Sequence, residues 1–103
     1  MKLEWSNFAV SDLELIKEYV SRDSEFYAAR LVERVIQSVE ILSSFPHIGR
    51  YVPEAEGIPN IREVISNPYR IIYRTEEYRV LILAVIHSAR DLAEIEPKPW
   101  ELS

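Results

Sequence analysis

The order of hydrophobic patterns predicts an α+β domain: an N-terminal strand, then an antiparallel helical hairpin packed on an antiparallel sheet, in the order β-α-α-β-β-β. Two observations carry this expectation. Apolar residues recur at helical spacing from Ala9 to Leu42, and from Ile61 to His87 the period changes to two. Between these regions Phe45 to Asn60 holds both glycines and three of the six prolines, the composition of a loop.

Each element has its own signal. Leu3 and Trp5 alternate with Lys2 and Glu4, as in a short strand. Ser6 or Asn7 can cap the helix that follows, in which Ala9, Leu13, Ile16 and Val20 form the apolar stripe. Polar residues Ser21 to Ser24 interrupt the pattern. The second helix is stronger: Ala28, Val32, Val35, Val39 and Leu42 share one face, and no Gly or Pro falls between Ser24 and Ser44. The short connection makes the two helices antiparallel neighbours. Pro46 ends the second helix, since it lacks an amide donor and restricts its predecessor.

Three strands are expected at Ile61 to Ile65, Tyr69 to Thr75 and Tyr78 to His87, joined by turns at Asn67-Pro68 and Glu76-Glu77. Strict alternation puts Val80, Ile82, Ala84 and Ile86 on one face of the last strand, and Leu81, Leu83 and Val85 on the other. Apolar residues on both faces require cover on both sides. The hairpin supplies one cover; a loop, the tail or a partner must supply the second. A chain of 103 residues that is 48% hydrophobic supports one domain over 1–103, with about 92–103 as an extended C-terminal tail.

Composition excludes several classes. With Cys 0 there is no thiol chemistry, and two isolated histidines make a metal site improbable, so no metal or cofactor is expected. No apolar run resembles a signal peptide or spans a membrane, which makes a cytoplasmic location the expectation. The net charge of −5 disfavours direct nucleic-acid binding.

The basic candidates lie on the strands. Arg70 and Arg74 share a face, and Arg62 and Arg90 come from neighbouring elements. Functionally this is an anion-binding face; structurally it is a set of arginines paired with Glu63, Glu76 or Asp91. His87 is a candidate general base or a turn residue. Trp100 either anchors the tail on the uncovered sheet face or is an exposed contact.

Three blocks then stand out in order: Phe45-Pro46-His47-Ile48-Gly49-Arg50, Pro68-Tyr69-Arg70-Ile71-Ile72-Tyr73-Arg74, and His87-Ser88-Ala89-Arg90-Asp91. Behind a helical hairpin, they make the chain resemble the RelE/ParE toxin family of bacterial toxin–antitoxin systems over about Leu3 to Arg90. The resemblance implies a first strand lying beside the last and an antitoxin that wraps the toxin. It also implies one of two activities: RelE-like ribosome-dependent cleavage of messenger RNA, or ParE-like poisoning of DNA gyrase. Carried over residue by residue, the two lysines of RelE-like nucleases fall on Ile61 and Glu63, and their C-terminal tyrosine on Glu96. Only their arginines are matched, by Arg70 and Arg90. The resemblance therefore favours a ParE-like gyrase inhibitor with a ParD-like antitoxin, the ribonuclease being the alternative. For a nuclease the catalytic candidates are Arg70, Arg90 and His87. For target binding they are Arg70, Arg74, Arg90 and Trp100, and for antitoxin binding Leu13, Ile16, Val32, Arg62 and Tyr73.

Overall fold

A computed structural model describes residues 1–102. Its elements are β1 (Lys2–Trp5), α1 (Asn7–Ser21), α2 (Glu25–Glu40), β2 (Arg50–Tyr51), β3 (Ile61–Ser66), β4 (Tyr69–Thr75) and β5 (Arg79–His87). The sheet order is β1-β5-β4-β3-β2. β1 runs parallel to β5 and every other pair is antiparallel, so the sheet is mixed. The first strand does lie beside the last.

Both helices begin where the sequence places them. The Ser6 side chain accepts from the Ala9 amide and the Ser24 side chain from the Tyr27 amide. Each cap satisfies an amide that the first helical turn leaves open, worth about 1 kcal/mol. α2 continues into a single 3-10 turn, Ile41–Ser43, before Pro46.

The sheet separates two apolar layers. On the helical side Leu31, Val35 and Val39 of α2 and Leu42 of the 3-10 turn pack with Ile71, Tyr73, Val80 and Ile82. On the other side Ile61, Ile72, Leu81, Leu83, Ala84 and Ile86 are covered by Val52, Ala55 and Leu92, with Ile95 and Trp100 packed against them. The second cover is thus internal: the loop and the tail together. The tail is not extended. Leu92–Glu94 and Pro99–Glu101 are 3-10 turns, and Lys98 Nζ donates to the carbonyls of Leu92, Ala93 and Ile95 at 3.2, 2.7 and 2.9 Å.

Two further departures from the sequence reading have local causes. The expected loop contains the short edge strand β2, paired with β3 at Arg50↔Glu63 and Tyr51↔Arg62. The alternation of β5 also breaks. The β4–β5 register passes from Ile72↔Ala84 to Tyr73↔Ile82, leaving Leu83 as an extra residue in β5. This bulge moves Val85 to the helical face and Ala84 and Ile86 to the other, opposite to strict alternation. The backbone groups near it are used by α1 and its cap. Ser6 Oγ donates to the Leu83 carbonyl at 3.2 Å, and the Val85 amide donates to Asp12 at 2.9 Å.

Candidate functional site

Arg70 lies in the covered layer rather than on a surface. Its Nε donates to Glu63 Oε1 at 2.6 Å, and its two Nη atoms meet Glu54 Oε2 and Oε1 at 3.0 and 2.7 Å. Arg50 Nε donates to the second oxygen of Glu63 at 2.8 Å. Glu63 is 1% exposed and Arg70 8%, so these two form a buried pair, with Glu54 and Arg50 closing it from its more exposed edge. The bond from Arg70 holds the Glu54 carboxyl below its ordinary range. The paired carboxylates of Glu54 and Glu63 in turn hold the Arg70 guanidinium firmly protonated. In this geometry the donors of Arg70, expected to bind an anion or the target, are spent on two carboxylates of the chain itself.

The Phe-Pro-x-x-Gly-Arg block is held by one strand arginine, Arg62, and one tyrosine, Tyr73. Tyr73 Oη donates to the Pro46 carbonyl at 2.9 Å and accepts from the Gly49 amide at 3.0 Å. A Cβ at Gly49 would stand 2.5 Å from both the Glu63 carbonyl oxygen and Tyr73 Oη, so no side chain fits there. Arg62 Nη1 donates to the carbonyls of His47 and Gly49, and its guanidinium lies 4.2 Å from the centre of the Tyr51 ring. Tyr73 is fully buried. Tyr73, expected to bind the antitoxin, therefore presents no side-chain surface to a partner in this structure. Burial pushes its phenol up, opposed by the Gly49 amide and by Arg62.

Of the remaining candidates, Leu13, Ile16, Val32, His87 and Arg90 line two clefts that flank α1. Leu13 of α1 and Val32 of α2 line a groove of about 360 Å3 with Trp5, Val10 and Ile36. Ile16 lines the other cleft, together with His87 and Arg90. Arg74 Nε is 3.0 Å from Glu76 Oε2. His87 caps a turn, its Nδ1 accepting from the Ala89 amide at 3.0 Å, and its ring meets Tyr69 edge-on at 5.4 Å. Arg90 makes no salt bridge to Asp91, whose carboxylate instead accepts from the Ala93 amide. Trp100 packs half-buried on the second apolar layer, which is the anchoring role and leaves little of it for a target. Among the described residues no group of three or more His, Asp or Glu side chains could hold a metal ion. No helix among them is long and apolar enough to cross a membrane.

This layout agrees with known proteins. The family described as the ParE toxin of type II toxin–antitoxin systems, parDE, matches residues 3–92. The chain belongs to the ParE toxin family. Among curated relatives it is 30% identical over 96 residues to a candidate toxin, Y4kP, of Sinorhizobium fredii, covering 91% of this chain and 95% of that one. It is also 30% identical over 87 residues to toxin RelE2 of Caulobacter vibrioides, covering 84% and 93%. Two solved structures share the fold. The chromosomal ParDE system of P. aeruginosa gives a TM-score of 0.70 at 22% identity, covering 84% of this chain and 95% of that one. The RelBE2 toxin–antitoxin complex of Mycobacterium tuberculosis gives 0.63 at 20%, with the same coverage.

In this ParE-family chain the blocks that make the sequence recognisable do structural work. Gly49, Tyr73, Arg62 and Arg70 all act on the segment from Pro46 to Ala55. Glu54 is the participant that sequence reasoning missed. It sits in a loop sixteen residues before its partner Arg70, with no periodicity to join them.

Proposed function

We propose that this type II toxin arrests bacterial growth as a ParE-like poison of DNA gyrase, acting in the cytoplasm and neutralised by a ParD-like antitoxin. The observation that carries the choice is the state of the nuclease positions. In-line attack on an RNA phosphate needs cationic donors around the developing charge. Here Ile61 and Glu63 occupy the lysine positions, both 1% exposed, and Arg70 is neutralised by Glu54 and Glu63. The groove around Leu13 and Val32 suits an amphipathic antitoxin segment laid helix-in-groove.

The test is a pair of assays on purified protein. With gyrase present, the expected result is trapped, cleaved DNA, while ribosome-bound messenger RNA stays intact. Codon-positioned cuts in the message without trapped DNA would replace this reading with the ribonuclease.

A further inference from the structure

α1 buries little of its surface. Only Ala9 is fully buried, while Leu15 is 61% and Tyr19 70% exposed. On the side away from the Leu13–Val32 groove, the helix overhangs β4 and β5 and forms a second cleft of about 370 Å3. Leu15, Ile16 and Tyr19 wall it on the helix, Tyr69 and His87 on the sheet, and Arg90 lines it from beyond the end of β5.

Arg90 differs from the other sheet arginines. Arg50, Arg70, Arg74 and Arg79 each pair with a glutamate, and Arg62 spends its donors on the His47 and Gly49 carbonyls and Tyr51 Oη. Arg90 is exposed, and among the described residues its side chain makes no hydrogen bond or salt bridge. The charged group it faces is Asp12, whose carboxylate is half-buried and already accepts from the Val85 amide. Burial raises the Asp12 carboxyl above its ordinary range, and that hydrogen bond and Arg90 oppose the rise. The guanidinium is therefore the charge that solvent meets at this cleft.

We infer that the second cleft docks a protein segment of the toxin's target: an apolar side chain seated among Leu15, Tyr19 and Tyr69, with a neighbouring carboxylate on Arg90. Exposed tyrosine and arginine around an apolar pocket match the residue types that dominate binding energy at interfaces. A guanidinium with open donors recognises a carboxylate in bidentate fashion. A nucleic acid fits less well, because its binding needs several phosphates neutralised at once. This cleft offers one open cation on a chain of net charge −5.

The inference rests on the toxin reading and not on the identity of the target. It is tested with inducible expression of the full chain, wild type against Arg90→Glu, Tyr19→Ala and Leu15→Asp. These side chains are exposed, so each variant should keep its circular dichroism and still bind the co-expressed antitoxin with unchanged affinity. Arg90→Lys retains a cation and should keep part of the activity. Losing a charge-assisted bond lowers affinity by about 10- to 100-fold, so growth arrest should fail in Arg90→Glu and Tyr19→Ala. Arrest as strong as wild type in those two variants overturns the inference. So does antitoxin binding that falls in parallel with toxicity, or wild-type binding to a short DNA duplex that Arg90→Glu abolishes. A wild-type chain that leaves growth unaffected removes the toxin reading itself, a pattern distinct from arrest in wild type and variants alike.

Discussion

Arg70→Ala separates a structural arginine from a chemical one. The substitution leaves Glu63, 1% exposed, with Arg50 as its remaining cation, and strands Glu54 at the edge of the layer. Breaking a buried pair by removing one partner costs about 3–5 kcal/mol, because the other charge stays desolvated. A domain of this size has a total stability of about 5–15 kcal/mol. Each kcal/mol moves Tm by roughly 4 °C or more, so the loss is at least about 12 °C. The decisive variant removes the whole group: Arg70→Met with Glu63→Leu and Glu54→Gln. It leaves no buried charge, since Arg50 is 62% exposed and returns to water. Thermal and urea unfolding followed by circular dichroism should show Arg70→Ala strongly destabilised and the triple variant restored. Growth arrest should return with stability. Arg70→Ala within about 1 kcal/mol of wild type refutes the structural assignment, as does a stable triple variant that has lost toxicity.

Three other outcomes are expected. Gly49→Ala forces a Cβ against the Glu63 carbonyl and Tyr73 Oη, and Tyr73→Phe leaves the Gly49 amide and Pro46 carbonyl unpaired; urea unfolding should register losses of about 1–3 kcal/mol for each. The pH dependence has two opposed contributions. Arg70 depresses the Glu54 carboxyl, so its stabilisation is present above the ordinary 4.5 and lost as pH falls through the folded value. Burial raises Asp12, so its contribution is full below 3.8 and lost as pH rises through the folded value. Stability measured from pH 7 to 3 should therefore flatten in Glu54→Gln. It should exceed wild type at neutral pH in Asp12→Asn, whose amide oxygen can still accept from Val85. Finally, Leu13→Glu and Val32→Glu should weaken antitoxin binding by about tenfold or more while sparing toxicity. The wild-type complex should persist in 1 M NaCl, because apolar burial is not screened; its dissociation there would show that charge pairing dominates.

Much of the fold is legible because local rules and tertiary packing agree. Ser6 and Ser24 cap the helices that their sequence context announces, Pro46 follows the end of α2, and the doubly apolar β5 has cover on both faces. Illegible features depend on distant partners. Alternation alone places Val85 and Ala84 on the wrong faces, because the extra residue at Leu83 is compensated by Ser6 and Asp12, more than seventy positions away. The tail carries two prolines and reads as extended, yet one side chain, Lys98, gathers three carbonyls and folds it. Candidate residues suffer most. Arg70 and Tyr73 look available for contact on a strand pattern, but Arg70 points into the layer walled by the loop, and Tyr73 into the helical layer, where its hydroxyl meets Pro46 and Gly49. Arg90 lies beyond the last regular strand, where nothing local specifies its surroundings.

The irregularity in β5 makes the two layers interdependent in a way that substitution alone does not reveal. A regular strand would present its spare amide and carbonyl to β1 or β4. Here the carbonyl of Leu83 and the amide of Val85 serve as mortises for the capping serine and for Asp12 on the first helix. Deleting one residue from the middle of β5 would restore regular pairing on the sheet and unseat the helix in the same event. The residues beyond the deletion would keep their faces, because Ala84 already stands opposite Ile72 and Ile82 opposite Tyr73; the cost falls on the helix contacts alone. Length in this strand is therefore a fixed quantity, whereas most of its apolar side chains can be exchanged for others of similar volume. Insertions and deletions among related toxins should gather in the Pro53–Asn60 segment and the tail, and spare the stretch from Val80 to Ile86.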